Sequence, residues 1–414
     1  MTTTALQNEK NPSDYLVCKW CGKSFHYFKS HVANGNCEGI PESVKDADPD
    51  TVLKMYTTQF PDEPTLSKKA LDAIQAKRAE QKSEMAKSSG LTSSPGYTGT
   101  VEYKTDLVAA HELLNVTVEE LGTKRGTPLM VSVNVNTPYP EFVPEVKKGY
   151  VYGDFELIKD IFMMLELGIP GYLWGHAGTG KSSLPTQLCA LLNRPLIRAQ
   201  HTASMEEAHV TGQILARDGS TYFEPGLLAL AMKHGWVYLA DEYDFAFPQI
   251  LGVYQPVLEG EALVIKEATP EWRRITPHER FAFIGTGNTN GSGDETGLYQ
   301  GTNIQNAANF SRFGIVSNVK YMSKDAEINM LTNAGIVDEY AEKMVKFAGI
   351  VRDGYEEHLI SQPIGPRELL LSAKIGMMRG DFVTGIERSF INKLLQLLHK
   401  RLVKLFKKYL VNRA

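Results

Sequence analysis

Residues 175–183 read GHAGTGKSS, between a short apolar run, GYLW, and a helical one. Glycines at this spacing let successive backbone N–H groups turn inward, which makes a cradle for an anion. A lysine and a hydroxyl complete the pattern G-x-x-x-x-G-K-[ST], where they meet phosphate oxygens and a divalent cation. Gly175, His176, Ala177, Gly178, Thr179, Gly180, Lys181, Ser182 and Ser183 are therefore candidate nucleotide contacts. Lys181 is expected on the β- and γ-phosphates and Ser182 on Mg²⁺. His176 stands at a variable position of the pattern and is the least specified of the set.

Further on, WVYLADEYDF is an apolar strand ending in two acids. Asp241 is expected to bind Mg²⁺ through water, and Glu242 is placed to polarise an attacking water. A third strand, FAFIGTGNTN, ends in Asn288, whose amide can orient the same water. Phosphoryl transfer also needs positive charge on the γ-phosphate in the transition state. Arg312 in NAANFSRFGI and Arg367 in IGPRELL are the candidates.

A second chemistry lies near the amino terminus. Cys18, Cys21, His31 and Cys37 give C-x2-C-x9-H-x5-C, four ligands suited to a closed tetrahedral Zn²⁺ site. A knuckle-like set of Cys18, Cys21, His26 and His31 competes, although Phe25 stands where such a knuckle wants glycine. Lys19, Trp20, Lys23, Tyr27 and Lys29 mix aromatic and basic residues that can stack on single-stranded nucleic acid. The same aromatics are also what so small a module needs as core, and docking of a protein partner is the other use open to it.

The elements that must position these groups follow from periodicity. GYLWG, PLIRAQ, WVYLAD, FAFIGTG and IVSNVKYM are short apolar strands alternating with helical patterns, the signature of a mostly parallel α/β sheet. After residue 322 the chain reads helical. The expected divisions are a tail over 1–13, a zinc-finger-like module over 14–40, a helical tether and linker over 41–100, the α/β core over 101–321 and a helical lid over 322–414. From Lys393 to Ala414 lysines and arginines occur without an acid, around a stripe of Leu394, Leu398, Leu402, Leu405 and Tyr409. That helix suits packing on the lid, a membrane surface or nucleic acid, packing being the commonest use of such a stripe. Cys189 falls on the buried side of the helix after the phosphate loop and is expected in the core.

The 414 residues carry 43% apolar and 22% charged side chains and a formal net charge of −4. That is ordinary globular composition for more than one module, with no overall attraction to polyanions. No uncharged stretch is long enough to span a bilayer, and the polar amino terminus lacks an apolar leader. Three clustered cysteines suit metal ligation in a reducing, cytoplasmic setting.

In order and spacing, GHAGTGKSS, LADEYDFAFPQILGVYQPVLEGE, FIGTGNTN, SRFGIV and GPREL resemble AAA+ ATPases of the branch with an insertion in the second helix. Notable among them are MoxR proteins and CobS, the AAA subunit of cobalt chelatase, and the resemblance covers about residues 145–375. The resemblance implies a parallel sheet of order 5-1-4-3-2, an all-α lid, and a ring, usually a hexamer, with ATP at its interfaces. It further implies that Arg312 is an arginine finger on a neighbour's ATP, that Arg367 is a lid sensor, and that a partner with a von Willebrand factor A (VWA) domain helps to remodel, or load metal into, a protein client. HVTGQILARDGSTYFEPGLLALAMKHG looks like the insertion, a hairpin turning at Arg217, Asp218 and Gly219. A second hairpin runs from ALVIKE to RRITPH. These hairpins and the Tyr243–Phe247 segment are candidate pore contacts. Two departures, Ser311 where many relatives carry an acid and YDFA after Glu242, remove no catalytic group. The alternative is a McrB-like ring NTPase that uses the amino-terminal module and the basic tail on DNA.

Overall fold

The computed structural model describes residues 15–33, 35–45, 47–60, 63–70, 73, 102–217, 219–294, 296–394 and 396–411. The expected amino-terminal tail, most of the expected tether helix and the expected linker lie outside these residues, as does Asp218 at the hairpin turn. The chain divides into two compact units, one of residues 1–92 with 124–127 and one of 93–123 with 128–414.

The larger unit is built on five strands: β1 (Gly171–Trp174), β2 (Leu196–Gln200), β3 (Val237–Asp241), β4 (Ala282–Gly287) and β5 (Ile315–Asn318). Their spatial order is β5-β1-β4-β3-β2, every neighbour parallel. This is the 5-1-4-3-2 order that the resemblance implies. Successive side chains on a strand point to opposite faces, and the sheet uses both. Tyr172, Tyr238, Ala240 and Phe283 enter one apolar cluster, while Leu173, Leu239, Ala282 and Ile284 enter the other. Burial on both faces explains why these strands read as continuous apolar runs rather than alternating ones. Cys189 lies in the second cluster and is fully buried.

Parallel strands put their carboxyl ends on one edge, and the phosphate loop, Asp241 and Asn288 all follow such ends. The helix Phe155–Leu167 covers one face. Asp154 caps it by accepting the Leu157 N–H at 3.0 Å, and Gly168 ends it in the left-handed conformation. Both expected hairpins are present, Gly212–Arg217 with Ser220–Pro225 and Leu263–Val264 with Arg274–Ile275. An antiparallel pair, Thr105–Ala109 with Met130–Asn134, stands outside the central sheet.

Helices Lys324–Asn333, Asp338–Glu356, Pro366–Arg379, Phe382–Ser389 and Gln396–Val411 share a third apolar cluster. The last of them answers the question its basic stripe posed. Leu402 and Phe406 are buried, the Phe406 ring meets Phe347 edge-on at 4.7 Å, and Lys400, Arg401, Lys404, Lys407 and Lys408 face outward. Packing therefore sets its orientation. The side chain of Tyr409 lies outside the description. Phe406→Ala is expected to cost about 3 to 5 kcal/mol, seen as a lowered Tm, whereas Lys404→Ala should stay within about 0.5 kcal/mol.

In the smaller unit a hairpin, Leu16–Val17 with Ser24–Phe25, precedes helix Phe28–Ala33. Helix Pro49–Gln59 adds Val52 and Tyr56 to the core formed by Phe25, Phe28 and Val32. The packed module thus continues past residue 40, because the Phe28 and Tyr56 rings meet at a tilt with centroids 3.9 Å apart.

Candidate active site

Gly175, Gly178 and Gly180 all have positive φ, which lets the 175–182 backbone curl around the end of β1. A Cβ on Gly175 would come within 2.4 Å of the Val319 carbonyl oxygen. Lys181 closes the loop. Its Nζ donates to the carbonyls of Gly175 (2.7 Å) and His176 (2.8 Å) and to Asn288 Oδ1 (3.1 Å). Burial pushes its pKa down to about 8 against the pull of Asp244 and Asp241. A phosphate accepting from this ammonium would restore the opposing charge that burial makes scarce.

The two acids sit as their order on β3 predicts. Asp241 Oδ1 accepts from the Ser182 hydroxyl and from Thr286 Oγ1 (2.5 Å), and its Oδ2 accepts from Arg198 Nε (2.7 Å). Burial alone would raise the Asp241 pKa, but these donors lower it, so the group is a carboxylate. Ser182 and Asp241 are thus adjacent oxygen donors of the hard kind that Mg²⁺ requires. Glu242 is the first residue beyond β3 and adopts the left-handed conformation, φ 53° and ψ 42°. Such backbone is costly for a side chain with Cβ and turns the carboxylate back over the sheet edge. Gln200 Nε2 donates to its Oε2. Burial, with the charges of Asp241 and Asp244, raises its pKa, as suits a proton acceptor.

Asn288 owes its position to Asp244. The fully buried Asp244 accepts the N–H groups of Asn288 (2.8 Å) and Thr289 (2.9 Å) on one carboxylate oxygen. From the lid, Arg367 and Glu368 reach the loop: a Cβ on Gly178 would lie 3.3 Å from Arg367 Cβ and 3.6 Å from Glu368 Oε2. A cavity of about 430 Å³ adjoins the loop at Thr179, walled by Tyr150, Val151, Leu184, Tyr321 and Met322.

The AAA domain of the dynein-related subfamily matches residues 172–302. The aerobic cobaltochelatase subunit CobS of Sinorhizobium is 32% identical over 264 residues, spanning 61% of this chain and 78% of the relative. The chain belongs to the CobS-type AAA ATPases. A Staphylococcus aureus protein without an assigned function is 24% identical over 255 residues, 60% of this chain and 92% of its own. The Thermotoga maritima RuvB motor aligns at 14% identity and a TM-score of 0.38, over 60% of this chain and 72% of that one.

Elsewhere in this CobS-type ATPase, the Cys18, Cys21, His31 and Cys37 ligand atoms all lie within 4.8 Å of one another. Cys18 Sγ is 3.7 Å from Cys37 Sγ, and Cys21 Sγ is 3.2 Å from His31 Nε2. Such a group can hold a metal ion. His26 is turned elsewhere, its Nδ1 2.9 Å from Ser67 Oγ, so it does not join the set. Trp20 is spent on Phe28 and Tyr56, and Lys19 and Lys23 pair with Glu63 (2.7 Å) and Glu38 (2.5 Å).

One expectation needs correcting. Tyr243, Asp244 and Ala246 are 0% exposed, so the Tyr243–Phe247 segment cannot line a pore as a unit. Tyr243 Oη accepts from Asn309 inside the core, and of the apolar residues in the segment only Phe247 faces out. Arg312 makes its contacts away from its own phosphate loop: Nε donates to Glu259 Oε1 at 2.6 Å, and the Ala308 carbonyl accepts from the same guanidinium.

Arg198, Gln200, Asp244 and Tyr299 were not among the residues singled out from the sequence. A signal existed for three of them. Arg198 and Gln200 alternate at the end of β2, hence lie on one face beside Asp241, and Asp244 is the third acid of DEYD. Tyr299 sits in an irregular segment with no periodicity to place it.

Proposed function

We propose that this ATPase assembles into a ring, hexameric as the resemblance implies, and couples ATP hydrolysis to remodelling or metal loading of a protein client together with a VWA-domain partner. The observation that carries it is the convergence of Lys181, Asp241, Glu242 and Asn288 on one sheet edge, while Arg312 points elsewhere. A site with every cis group and no finger of its own is the kind a neighbouring subunit completes.

In that mechanism the loop amides and Lys181 bind the phosphates, and the base lies in the cavity between Tyr150 and Tyr321. Ser182 and Asp241 would hold Mg²⁺, which would supply positive charge beside the phosphates. Glu242 accepts the proton of the attacking water, and Asn288 holds that water's line of approach. Arg367 reads the nucleotide from the lid. Arg198 holds the Asp241 carboxylate in place through Oδ2. The hairpin residues Ile214, Tyr222 and Val264 are exposed and apolar, as client contacts should be.

Zn²⁺ is the ion that three cysteines and a histidine select. Burial pushes the Cys37 thiol up to about 12, and a bound cation would favour its thiolate. Metal analysis is expected to find one zinc per chain. A strong chelator should then make residues 15–60 protease-sensitive and leave the larger unit's Tm in place.

The test of the functional reading is the mass of the protein with and without ATP, beside turnover with ATP, GTP and DNA. A large ATP-dependent assembly and DNA-indifferent turnover support it. The exposed basic face of helix Gln396–Val411 favours the second reading, a nucleic-acid-directed ring NTPase using that helix and the amino-terminal module on DNA. Salt-sensitive stimulation by DNA would decide for it.

A further inference from the structure

His176 gives its carbonyl to Lys181, but its imidazole and the Ala177 N–H are held by a residue that the mechanism does not use. The Ala177 N–H donates to the Tyr299 hydroxyl oxygen at 3.1 Å, and the same hydroxyl lies 2.9 Å from His176 Nδ1. With its oxygen accepting from Ala177, the phenol proton is free to be donated to the imidazole. Burial and the Lys181 charge keep the His176 pKa below its usual range, so the neutral ring can offer Nδ1 as the acceptor of that proton.

The imidazole is also walled in by the end of the core and by the lid. Tyr321 stacks parallel to it at 5.7 Å, with 3° between planes, and Tyr355 meets it edge-on at 5.6 Å. Tyr321 in turn lies 4.1 Å beneath the Arg352 guanidinium, which grips the buried Glu327 with bonds of 2.9 and 2.7 Å. With the ring thus confined, its Nδ1 has a fixed direction, and a hydroxyl bonded to it is fixed too.

Tyr299 arrives from the segment that begins at Asn288. That segment is pinned at its base by the Asn303 N–H on the Asp244 carbonyl (2.7 Å) and near its tip by the Tyr299 N–H on Asp294 Oδ2 (2.7 Å). Asp244 also sets Asn288, so one buried acid anchors both the water-orienting amide and the stem that carries Tyr299.

We propose that Tyr299 is a positioning residue for nucleotide binding: its hydroxyl, bridging the Ala177 N–H and His176 Nδ1, fixes the first half of the phosphate loop in its binding shape. This rests on the ATPase reading of the same loop. A preformed loop binds phosphate without first losing backbone freedom, so the bridge acts on affinity more than on the chemical step.

Tyr299→Phe removes the oxygen and keeps the ring. It is expected to weaken binding of a fluorescent ATP analogue, and raise KM for ATP, about five- to tenfold, with kcat at saturating ATP falling less than about twofold. His176→Asn, which can present an acceptor near the Nδ1 position, should keep more affinity than His176→Leu. The double variant Tyr299→Phe with His176→Leu should bind no worse than Tyr299→Phe alone, because removing the hydroxyl already loses both bonds of the bridge. Tyr299→Phe binding like wild type, or losses that add fully in the double variant, would overturn the proposal. If Tyr299→Phe unfolds, the comparison of His176→Asn with His176→Leu still decides it, equal affinities counting against the bridge. Wild-type protein that binds no ATP analogue would instead sink the ATPase reading itself.

Discussion

Glu242→Gln is expected to bind ATP and lose hydrolysis by about a hundredfold or more, the contribution typical of a positioned general base. The substitution keeps the shape of the side chain and both hydrogen-bonding atoms but cannot take a proton. The left-handed backbone at this position is no worse for glutamine than for glutamate, so the fold should be retained. Binding is set by the loop amides and Lys181, so Kd for ATP should stay within a few-fold of wild type. The readout is single-turnover phosphate release beside equilibrium binding. Turnover above a tenth of wild type would move the base elsewhere.

Arg312→Ala is expected to lower kcat by roughly a thousandfold or more, the range reported by removal of an arginine that stabilises transferring phosphoryl charge. A loss that large would not by itself separate action in cis from action on a neighbour. Mixing does. Arg312→Ala chains keep an intact Glu242, and Glu242→Gln chains keep an intact Arg312, so a ring of both contains interfaces with one of each. In a head-to-tail ring about a quarter of the interfaces would be complete at equal mixing, and turnover should reappear in proportion. If Arg312 acts within its own chain, mixing two dead variants restores nothing. The ion pair with Glu259 predicts a milder phenotype for Glu259→Ala, since that change frees the guanidinium rather than deleting it.

The chemistry of this chain was legible because it is written in short, contiguous patterns. GHAGTGKSS between a strand and a helix needs only local backbone to form its cradle, and its glycines take the positive φ that such a turn requires, with Lys181 bonded across it. The apolar runs ending in Asp241 and Asn288 announced buried parallel strands, and parallel strands bring their carboxyl ends to one edge whatever the intervening chain. The cysteine spacing narrowed the metal ligands to two sets. Choosing between them took the fold, because the turn of His26 toward Ser67 depends on a residue far along the chain.

What the sequence left undetermined depends on contacts between segments far apart in the chain. Nothing in YDFA says that Tyr243 and Asp244 turn inward; they do so because the Asn309 amide, in one case, and the backbone after β4, in the other, are there to meet them. The basic carboxy-terminal helix allowed three partners by its own amphipathic pattern, and Phe347 selected the lid. Arg198, Gln200 and Tyr299 matter only through the groups they touch, each more than forty residues away or on the far side of an irregular segment. Local pattern thus determined which groups could bind and cleave a nucleoside triphosphate. Tertiary packing decided which oxygen and nitrogen atoms hold them in place, because a hydrogen bond within about 3 Å is a condition on position that no spacing along the chain can encode.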